Sequence, residues 1–272
     1  MGTTAQKLNK ILETKEAIRT AINNKGGTLT TTDTFASYPS AIDSLPSGGG
    51  GSLKTLLDAT KSTYHLFLNF KETNIDGLIS YNDTENVTKM NSMFYNCPNL
   101  ITISLFNTSS ANEMEDMFRK CSSLTTIPQL DTSNVKKMGG MFQNCSKLTT
   151  IPQLDTSSVM AMNYMFAECS KLTTIDITHM NITSTSDNFY FANNCYSLTK
   201  LIIRNMTTIP ELNSTAFNNC YHFTGTTDPT YNPQGLKDGR IYVPDDKVDA
   251  LKTTTNWSTY ADIIVPLSTL VE

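Results

Sequence analysis

Cysteine is the residue of this chain with the most chemistry to offer, and its six copies recur at nearly constant spacing. They are Cys97, Cys121, Cys145, Cys169, Cys195 and Cys220. The intervals between them are 24, 24, 24, 26 and 25 residues. Thiols brought close together could form disulfides, or could hold zinc with histidine or further cysteine. Zinc sites of the ordinary kind use CxxC-like pairs, and no cysteine here has another within 20 residues.

The residues around each cysteine repeat with it. The copies read MEDMFRKCSSL, MGGMFQNCSKL and MNYMFAECSKL, and each follows a segment close to DTxxV. We therefore interpret the cysteines as reduced, buried, small apolar residues of one structural unit used several times. If each cysteine ended a helix, neighbouring copies would lie about 8–10 Å apart, which exceeds the roughly 7 Å that a disulfide spans. The sequence predicts no disulfide, no metal, no cofactor and no catalytic residue.

The three histidines, His65, His179 and His222, are scattered along the chain, and none lies in a nucleophile or metal motif. The Gly-rich segment 47–52 lacks the lysine that a phosphate-binding loop needs. We therefore expect a protein that is not an enzyme.

The elements that must position these residues can be inferred from one repeat. Five apolar residues fall at i, i+3, i+6, i+7 and i+10: Val135, Met138, Met141, Phe142 and Cys145. This spacing predicts one stripe of a short helix, with Thr132 or Ser133 accepting hydrogen bonds at its start. Residues 148–151 predict a short strand, and Pro152 after it cannot donate a ladder hydrogen bond. The fold class expected is α/β, a leucine-rich-repeat solenoid with a short helix and a short strand per ~24 residues.

Composition divides the chain into five predicted regions. They are a helical N-terminal docking or oligomerisation module (1–46), a Gly-rich linker (47–52), an N-terminal cap (53–80), leucine-rich repeats (81–225) and a C-terminal cap (226–272).

Charge and hydropathy exclude two classes of function. The net charge is −4 and charged residues make up 17% of the chain, unlike the clustered lysine and arginine of a nucleic-acid binder. No apolar run reaches 18 residues, so we expect no membrane insertion. The first residues are polar and amphipathic without an apolar signal core, so Sec export is not expected.

The N-terminal module carries an apolar heptad stripe. With Leu8 at position a, Ile11 and Ile18 fall at d and Ile22 at a. Leucine or isoleucine at a with isoleucine at d favours trimers or tetramers, so these four residues are the predicted oligomerisation site of a homotrimer. The alternative is that the stripe packs on residues 35–45 of the same module.

The repeat pattern DTSxVxxMxxMFxxCxxLTxI resembles the BspA-like leucine-rich repeats of bacterial surface proteins and of bacteriophages that infect similar hosts. The resemblance covers residues 81–225, and residues 239–267 are similar to the terminal cap that follows such repeats. The copies at Cys195 and Cys220 depart from the pattern, since Phe191 and Ala192 stand where methionine and phenylalanine are expected. The resemblance implies recognition and adhesion rather than catalysis.

The N-terminal module is similar to a short unit of phage tail and baseplate proteins from Gram-positive hosts. It shares an NNKGG turn and an FxxYPxxI motif, here Phe35, Tyr38, Pro39 and Ile42. The resemblance implies a non-enzymatic virion protein, a tail fibre or baseplate component assembled in the host cytoplasm. Its partners would be other tail or baseplate proteins and a host cell-surface glycan or protein. The alternative is a bacterial cell-surface leucine-rich-repeat adhesin.

Exposed neutral residues of the predicted strands are the candidates for a host receptor site. They are Thr126, Gln129, Thr150 and Gln153. Their hydroxyl and amide groups suit hydrogen bonding to glycans, although a solvated surface with no ligand explains the same residues equally well.

Overall fold

The structure is a computed structural model that describes Leu57 and residues 61–75, 79–180, 188–232 and 234–271. The predicted N-terminal module and linker lie outside the described residues. The same holds for the predicted oligomerisation residues Leu8, Ile11, Ile18 and Ile22.

The chain has an α/β fold with a four-stranded parallel sheet. Its strands lie side by side in chain order: β1 (Thr174–His179), β2 (Lys200–Asn205), β3 (Arg240–Val243) and β4 (Ile264–Pro266). The register aligns one buried residue from each strand, namely Ile175, Leu201, Ile241 and Ile264. Two short helices follow β2, α1 (Tyr221–Thr224) and α2 (Val248–Thr253), and 3-10 turns occur at Tyr81–Thr84, Asp245–Lys247, Trp257–Tyr260 and Leu267–Thr269.

The repeats form units that we call coils, each named after the cysteine it carries. Parallel backbone bridges join one coil to the next, from Ser62 to Lys89, Glu113, Lys137 and Ala161 in turn. The segment that ends at each cysteine, residues 138–145 in the Cys145 coil, is here called the turn wall. The segment that follows it, residues 149–154 in the same coil, is called the strand wall.

In the turn wall, alternate N–H groups bond within the coil and to the next coil. Met141 and Cys145 donate to carbonyls three residues back, Met138 O at 3.2 Å and Phe142 O at 3.0 Å. Between them, Phe142 donates to Met165 O of the next coil at 2.9 Å. Each coil is therefore a run of tight turns that is hydrogen-bonded to its neighbour like a strand.

The predicted helix in each repeat is wrong, although the burial of its stripe is confirmed. Met138, Met141 and Cys145 are completely buried, but Gly140 and Asn144 adopt positive φ of 63° and 64°. A left-handed residue every fourth position cannot belong to a right-handed α-helix. Four other coils repeat this pair at Ser92 and Asn96, Asp116 and Lys120, Tyr164 and Glu168, and Tyr190 and Asn194, whereas the Cys220 coil has only Asn219 in this conformation.

The predicted capping role of Thr132 and Ser133 is also replaced by another arrangement. The Thr132 hydroxyl donates to Asp155 O of the next coil at 2.8 Å. The Ser133 N–H donates to the carboxylate of Asp131 at 3.1 Å, which forms a local Asx turn. With no helix in the coil, neither residue has a helix terminus to cap.

The strand predicted at residues 148–151 is absent from the Cys145 coil, while the equivalent residues of the next coil, 172–175, lead into β1. Seven residues after the cysteine, the Cys145 coil has Pro152 and the Cys169 coil has Asp176. Proline has no N–H to donate toward β1. The Cys145 coil therefore pairs with β1 through one isolated bridge, between Leu154 and Ile177. β1 forms in the Cys169 coil, where residue 176 has an N–H.

The core is a set of columns that run through successive coils. Phenylalanine rings stack face to face at 5.2–5.6 Å through Phe67, Phe94, Phe118, Phe142 and Phe166. At Phe191 the stack turns edge-on, with an interplanar angle of 89°, because in that coil phenylalanine stands at the methionine position and Ala192 at the phenylalanine position. The first of these rings, Phe67, belongs to residues 61–70, which bond to the Cys97 coil as the later coils bond to one another. Stacked coils thus begin within the region predicted as the N-terminal cap.

The C-terminal segment covers the last coils. Trp257 is completely buried, and its indole N–H donates to Pro210 O at 2.9 Å. Its ring lies 6.5 Å from that of Phe217, the last phenylalanine of the column. Among the described residues, no helix has the length and apolar character required to cross a membrane.

Candidate recognition surface

The thiols form a buried column in which each sulfur donates to the coil before it. The Sγ atoms of Cys121, Cys145 and Cys169 lie 3.0–3.1 Å from the carbonyl oxygens of Phe94, Phe118 and Phe142. Cys97, Cys195 and Cys220 make the equivalent bonds, and all six thiols are free and buried. The column is therefore a structural feature shared by every described coil that carries a cysteine.

Burial makes these thiols weak acids. It raises the pKa of Cys145 and Cys195 well above the ordinary value and that of Cys169 to about 12. A thiol that stays protonated is a poor nucleophile and a poor metal ligand.

Adjacent coils lie closer together than the sequence predicted, so the expected distance between neighbouring cysteines is wrong. Hydrogen-bonded neighbours lie about 4.8 Å apart, not at the 8–10 Å of packed helices. Separation alone therefore does not exclude a disulfide between adjacent coils. What characterises the thiols here is their hydrogen bond to a carbonyl and their burial.

A second column, of threonines, joins the coils at the DT motif. The buried Thr108 hydroxyl donates to Asp131 O at 2.9 Å and accepts from the N–H of the same residue at 2.8 Å. Thr156 makes the same pair of bonds with His179. In these coils the threonine therefore replaces a backbone ladder bond, while the residue before it, Asn107 or Asp155, accepts from the N–H two residues on and shapes the following turn.

The predicted receptor-facing residues come together on the strand wall. Thr126, Gln129, Thr150 and Gln153 are all exposed and lie on two adjacent coils. The Gln129 amide donates to Gln153 O at 3.0 Å, so residues 24 apart in sequence are direct neighbours. We call these four residues the Gln/Thr face.

A row of hydroxyls lies beside the Gln/Thr face. Each threonine of the row donates to the carbonyl of the previous one, Thr149 to Thr125 at 3.5 Å and Thr173 to Thr149 at 3.4 Å. Because these hydroxyl protons are already engaged, the row mainly presents acceptor oxygens to a ligand.

The strand wall continues on both sides of the Gln/Thr face, and the character of these two surfaces was not predicted from the sequence. Toward the first coils it becomes apolar, with Tyr81 and Leu105 49% and 54% exposed. Toward the last coils Arg204 forms a two-pronged ion pair with Asp176 at 2.7 and 2.9 Å. The sequence signal for the apolar end was Leu105, which stands eight positions after its cysteine, where the next two coils have Gln129 and Gln153.

The histidines lie apart from the Gln/Thr face and from one another. His65 stacks on Tyr64 at 4.1 Å, and His222 Nδ1 lies 2.7 Å from Asp238. His179 Nδ1 lies 3.1 Å from the Thr178 hydroxyl. Within the described part of the chain, no three side chains of histidine, cysteine, aspartate or glutamate gather where they could hold a metal ion.

The stacked region coincides with a known family. The family described as "Mycoplasma protein of unknown function, DUF285" matches residues 61–150 and again 123–228. Together the matches span 61–228, which is 168 of the 272 residues. The chain belongs to the DUF285 family. Its match begins at the first described coil, and the two overlapping matches reflect the repetition of the coil. No curated protein matches this sequence significantly.

Proposed function

We propose that this DUF285 protein is a leucine-rich-repeat solenoid that serves as a non-enzymatic phage virion protein. It would be a tail fibre or baseplate component that presents its repeats for recognition of the host surface. The observation that carries the proposal is the Gln/Thr face, a regular exposed array of neutral amides and hydroxyls on adjacent coils.

The stacked coils support a solenoid. Each coil buries its own apolar column only by contact with its neighbours, as repeat proteins do. The bridges from Ser62 to Ala161 and the phenylalanine stack continue this contact over five coils. Such a stack leaves one continuous outer wall, and a repeated wall is suited to an extended ligand such as a surface polymer.

The virion assignment rests on the resemblance of residues 1–46 to tail and baseplate modules. In this proposal Leu8, Ile11, Ile18 and Ile22 form a homotrimer that docks to other tail or baseplate proteins. The buried, protonated thiols fit assembly in a reducing host cytoplasm.

Two measurements test the assembly. Light scattering should give a trimer for the full chain and a folded monomer after removal of residues 1–46. Antibodies to the repeats should detect the chain in purified virions. A full-length monomer would contradict the oligomer, and absence from virions would contradict the virion role.

Binding to host cells tests the Gln/Thr face itself. Gln129→Ala and Gln153→Ala should weaken binding of labelled protein to host cells, because both remove exposed amides. Met160→Ala, also exposed but elsewhere, is the control. Equal binding by all three variants would exclude the Gln/Thr face as the receptor site.

A bacterial cell-surface adhesin is the second candidate, favoured by the family description, which names Mycoplasma proteins. The same Gln/Thr face would then bind a host-tissue or neighbouring-cell ligand. Recovery of the chain in cell-surface fractions of uninfected bacteria would support this candidate over the virion protein.

A further inference from the structure

The first coil of the described stack, residues 61–70, is less completely bonded than the coils that follow it, and we call it the leading coil. In the Cys97, Cys121 and Cys145 coils, four alternate N–H groups of the turn wall donate to the next coil at 2.8–3.3 Å. At the equivalent positions of the leading coil, Thr63, Phe67 and Asn69 donate to the Cys97 coil at 2.9–3.1 Å. The fourth N–H, that of His65, makes no such bond to any described residue.

A hydroxyl of the leading coil lies in the apolar column without a partner. Thr63 is 1% exposed, and its Oγ1 has no hydrogen-bond partner in the described structure. Later coils have a completely buried methionine at this position, namely Met90, Met114, Met138 and Met162. A hydroxyl that loses water on burial and gains no hydrogen bond destabilises the packed state.

The ring of His65 adds a second unpaired group to the same coil. Its Nδ1 is buried and has no partner among the described residues. The ring stacks on Tyr64 at 4.1 Å and lies 6.4 Å from the Tyr95 ring of the Cys97 coil. His65 therefore contacts the next coil through ring packing, without a directional bond from its side chain.

The threonine column that joins the later coils is also incomplete at this end. Thr84 is completely buried in the DT motif of the Cys97 coil, yet its Oγ1 has no partner in the described structure. The N–H of Asn107, which corresponds to the Asp131 N–H that Thr108 accepts, donates to Tyr81 O at 3.2 Å instead. Four buried side-chain nitrogen or oxygen atoms lack a partner in the described residues, and three of them lie within residues 63–84.

Apolar packing is what holds the leading coil to the stack. The Phe67 ring lies 5.2 Å from the Phe94 ring and nearly parallel to it, and the Cys97 thiol donates to Phe67 O at 2.9 Å. This end of the stack thus has the phenylalanine contact of the later coils but fewer satisfied polar groups.

We propose that the leading coil is a detachable end of the solenoid, which opens from the Cys97 coil as one unit while the later coils stay stacked. Each coil of a solenoid contacts only its neighbours, so its stability depends on its own interface. The interface with the fewest satisfied groups opens at the lowest free energy. Opening also returns the Thr63 hydroxyl and the His65 ring to water, where both are hydrogen-bonded.

This device goes beyond recognition by the Gln/Thr face. In the proposed virion protein, residues 1–46 attach to the tail and the strand wall attaches to the host. Tension between the two attachments would then reach the stack through the leading coil, which would yield before the receptor-binding coils. That use rests on the proposed function, whereas the opening itself does not.

Amide hydrogen exchange of the full chain, followed by NMR, tests the opening. After correction for intrinsic rates, we expect the three bonded N–H groups of the leading coil to exchange about 100-fold faster than those of the Cys145 turn wall. The three should share one opening equilibrium, and therefore one protection factor.

Two matched variants test the cause. Thr63→Val keeps the shape of the side chain and removes the unpaired hydroxyl, so it should raise protection of the leading coil about fivefold or more. It should leave protection of the Cys145 coil unchanged. Thr132→Val makes the same change where the hydroxyl donates to Asp155 O at 2.8 Å, and it should lower protection of its own coil.

Every other result overturns the detachable coil. Protection of the leading coil equal to that of the Cys145 coil would exclude a separate opening, and three unequal protection factors would indicate fraying of single residues. Protection that is unchanged or lowered in Thr63→Val would exclude the unpaired hydroxyl as the cause. A lower melting temperature of Thr63→Val would do the same, because the hydroxyl would then be stabilising. Loss of the proposed function would appear in host-cell binding and leave these exchange rates as they are.

Discussion

The thiol of Cys145 donates a hydrogen bond to the backbone carbonyl of Phe118, 3.1 Å away in the preceding coil. The same contact recurs from coil to coil, so each thiol fills a small space and adds a second hydrogen bond to a carbonyl; Phe118 O also accepts the Cys121 N–H at 3.0 Å. Burial raises the pKa of Cys145 well above its usual range. The thiol column therefore joins adjacent coils and is protected from solvent chemistry.

Thiol labelling should report this protection. Since reagents attack the thiolate and need access to it, we expect no rapid labelling in the folded protein at pH 8 and labelling of all six cysteines in denaturant. Mass spectrometry after a brief pulse of a thiol reagent measures both. Fast modification of Cys145 or Cys169 in the folded protein would contradict the buried column.

Replacement of a ladder threonine should destabilise the stack. The Thr132 side chain is buried and its hydroxyl donates to Asp155 O at 2.8 Å, so Thr132→Val leaves that partly buried carbonyl without this donor. An unsatisfied buried group costs about 1–3 kcal/mol, which we expect to see in urea denaturation. Thr126→Val makes the same chemical change at an exposed position, and its effect should stay within about 0.5 kcal/mol. An equal loss of unfolding free energy in the two variants would show that the Thr132 hydrogen bond does not contribute to stability.

His65 should make stability depend on pH. Burial lowers the pKa of His65 to about 4 from 6.5, and its Nδ1 is buried with no partner. Between these values the unfolded chain binds more protons than the folded one, so wild type loses stability as pH falls from 6.5 to 4. The difference between the two pKa values limits the loss of unfolding free energy to roughly 3 kcal/mol. Because the ring is only partly buried, we expect about half of that loss.

His65→Asn isolates this effect, since asparagine suits the φ of 59° at this position. As pH falls toward 4, the free energy of unfolding of the variant should rise relative to that of wild type, because only wild type loses stability through this histidine. At pH 8, where the histidine is neutral in both states, the two proteins differ only in packing. A difference that stays constant from pH 8 to 4 would contradict the lowered pKa.

The sequence predicted burial better than it predicted backbone conformation. The spacing of Met141, Phe142 and Cys145 fits one face of a helix, yet a run of tight turns buries the same positions. What separates the two is backbone handedness, and the local signal was asparagine or glycine at Asn144 and Gly140. The exposure of Gln129 and Gln153 was predictable for a simpler reason. The apolar residues of each repeat mark the positions that face the core, and these two polar residues lie outside them.

The packing of Asp116 against Gly140 was beyond sequence reasoning because it depends on contacts between coils. Asp116 meets Gly140 only when residues 24 apart in sequence are stacked, and no spacing rule shows which side chain then fills the space beside the glycine. The one visible signal was MGGM among MEDM and MNYM, a loss of two side chains in a single coil.

A charge placed in the core should distinguish buried from exposed methionines. Met141 is completely buried in the turn wall, whereas Met160 is 68% exposed. Met141→Asp would place a carboxylate in the stacked core at a cost of at least about 3–5 kcal/mol. Since 1 kcal/mol corresponds to about 2–4 °C in a chain of this size, we expect the melting temperature to fall by about 10 °C or more. Met160→Asp carries the same charge change on the surface and should melt within about 2 °C of wild type. A Met141→Asp protein with the melting temperature of wild type would mean that the coils do not stack through this column. The exposed strand wall, which forms only if the coils stack, would then be contradicted as well.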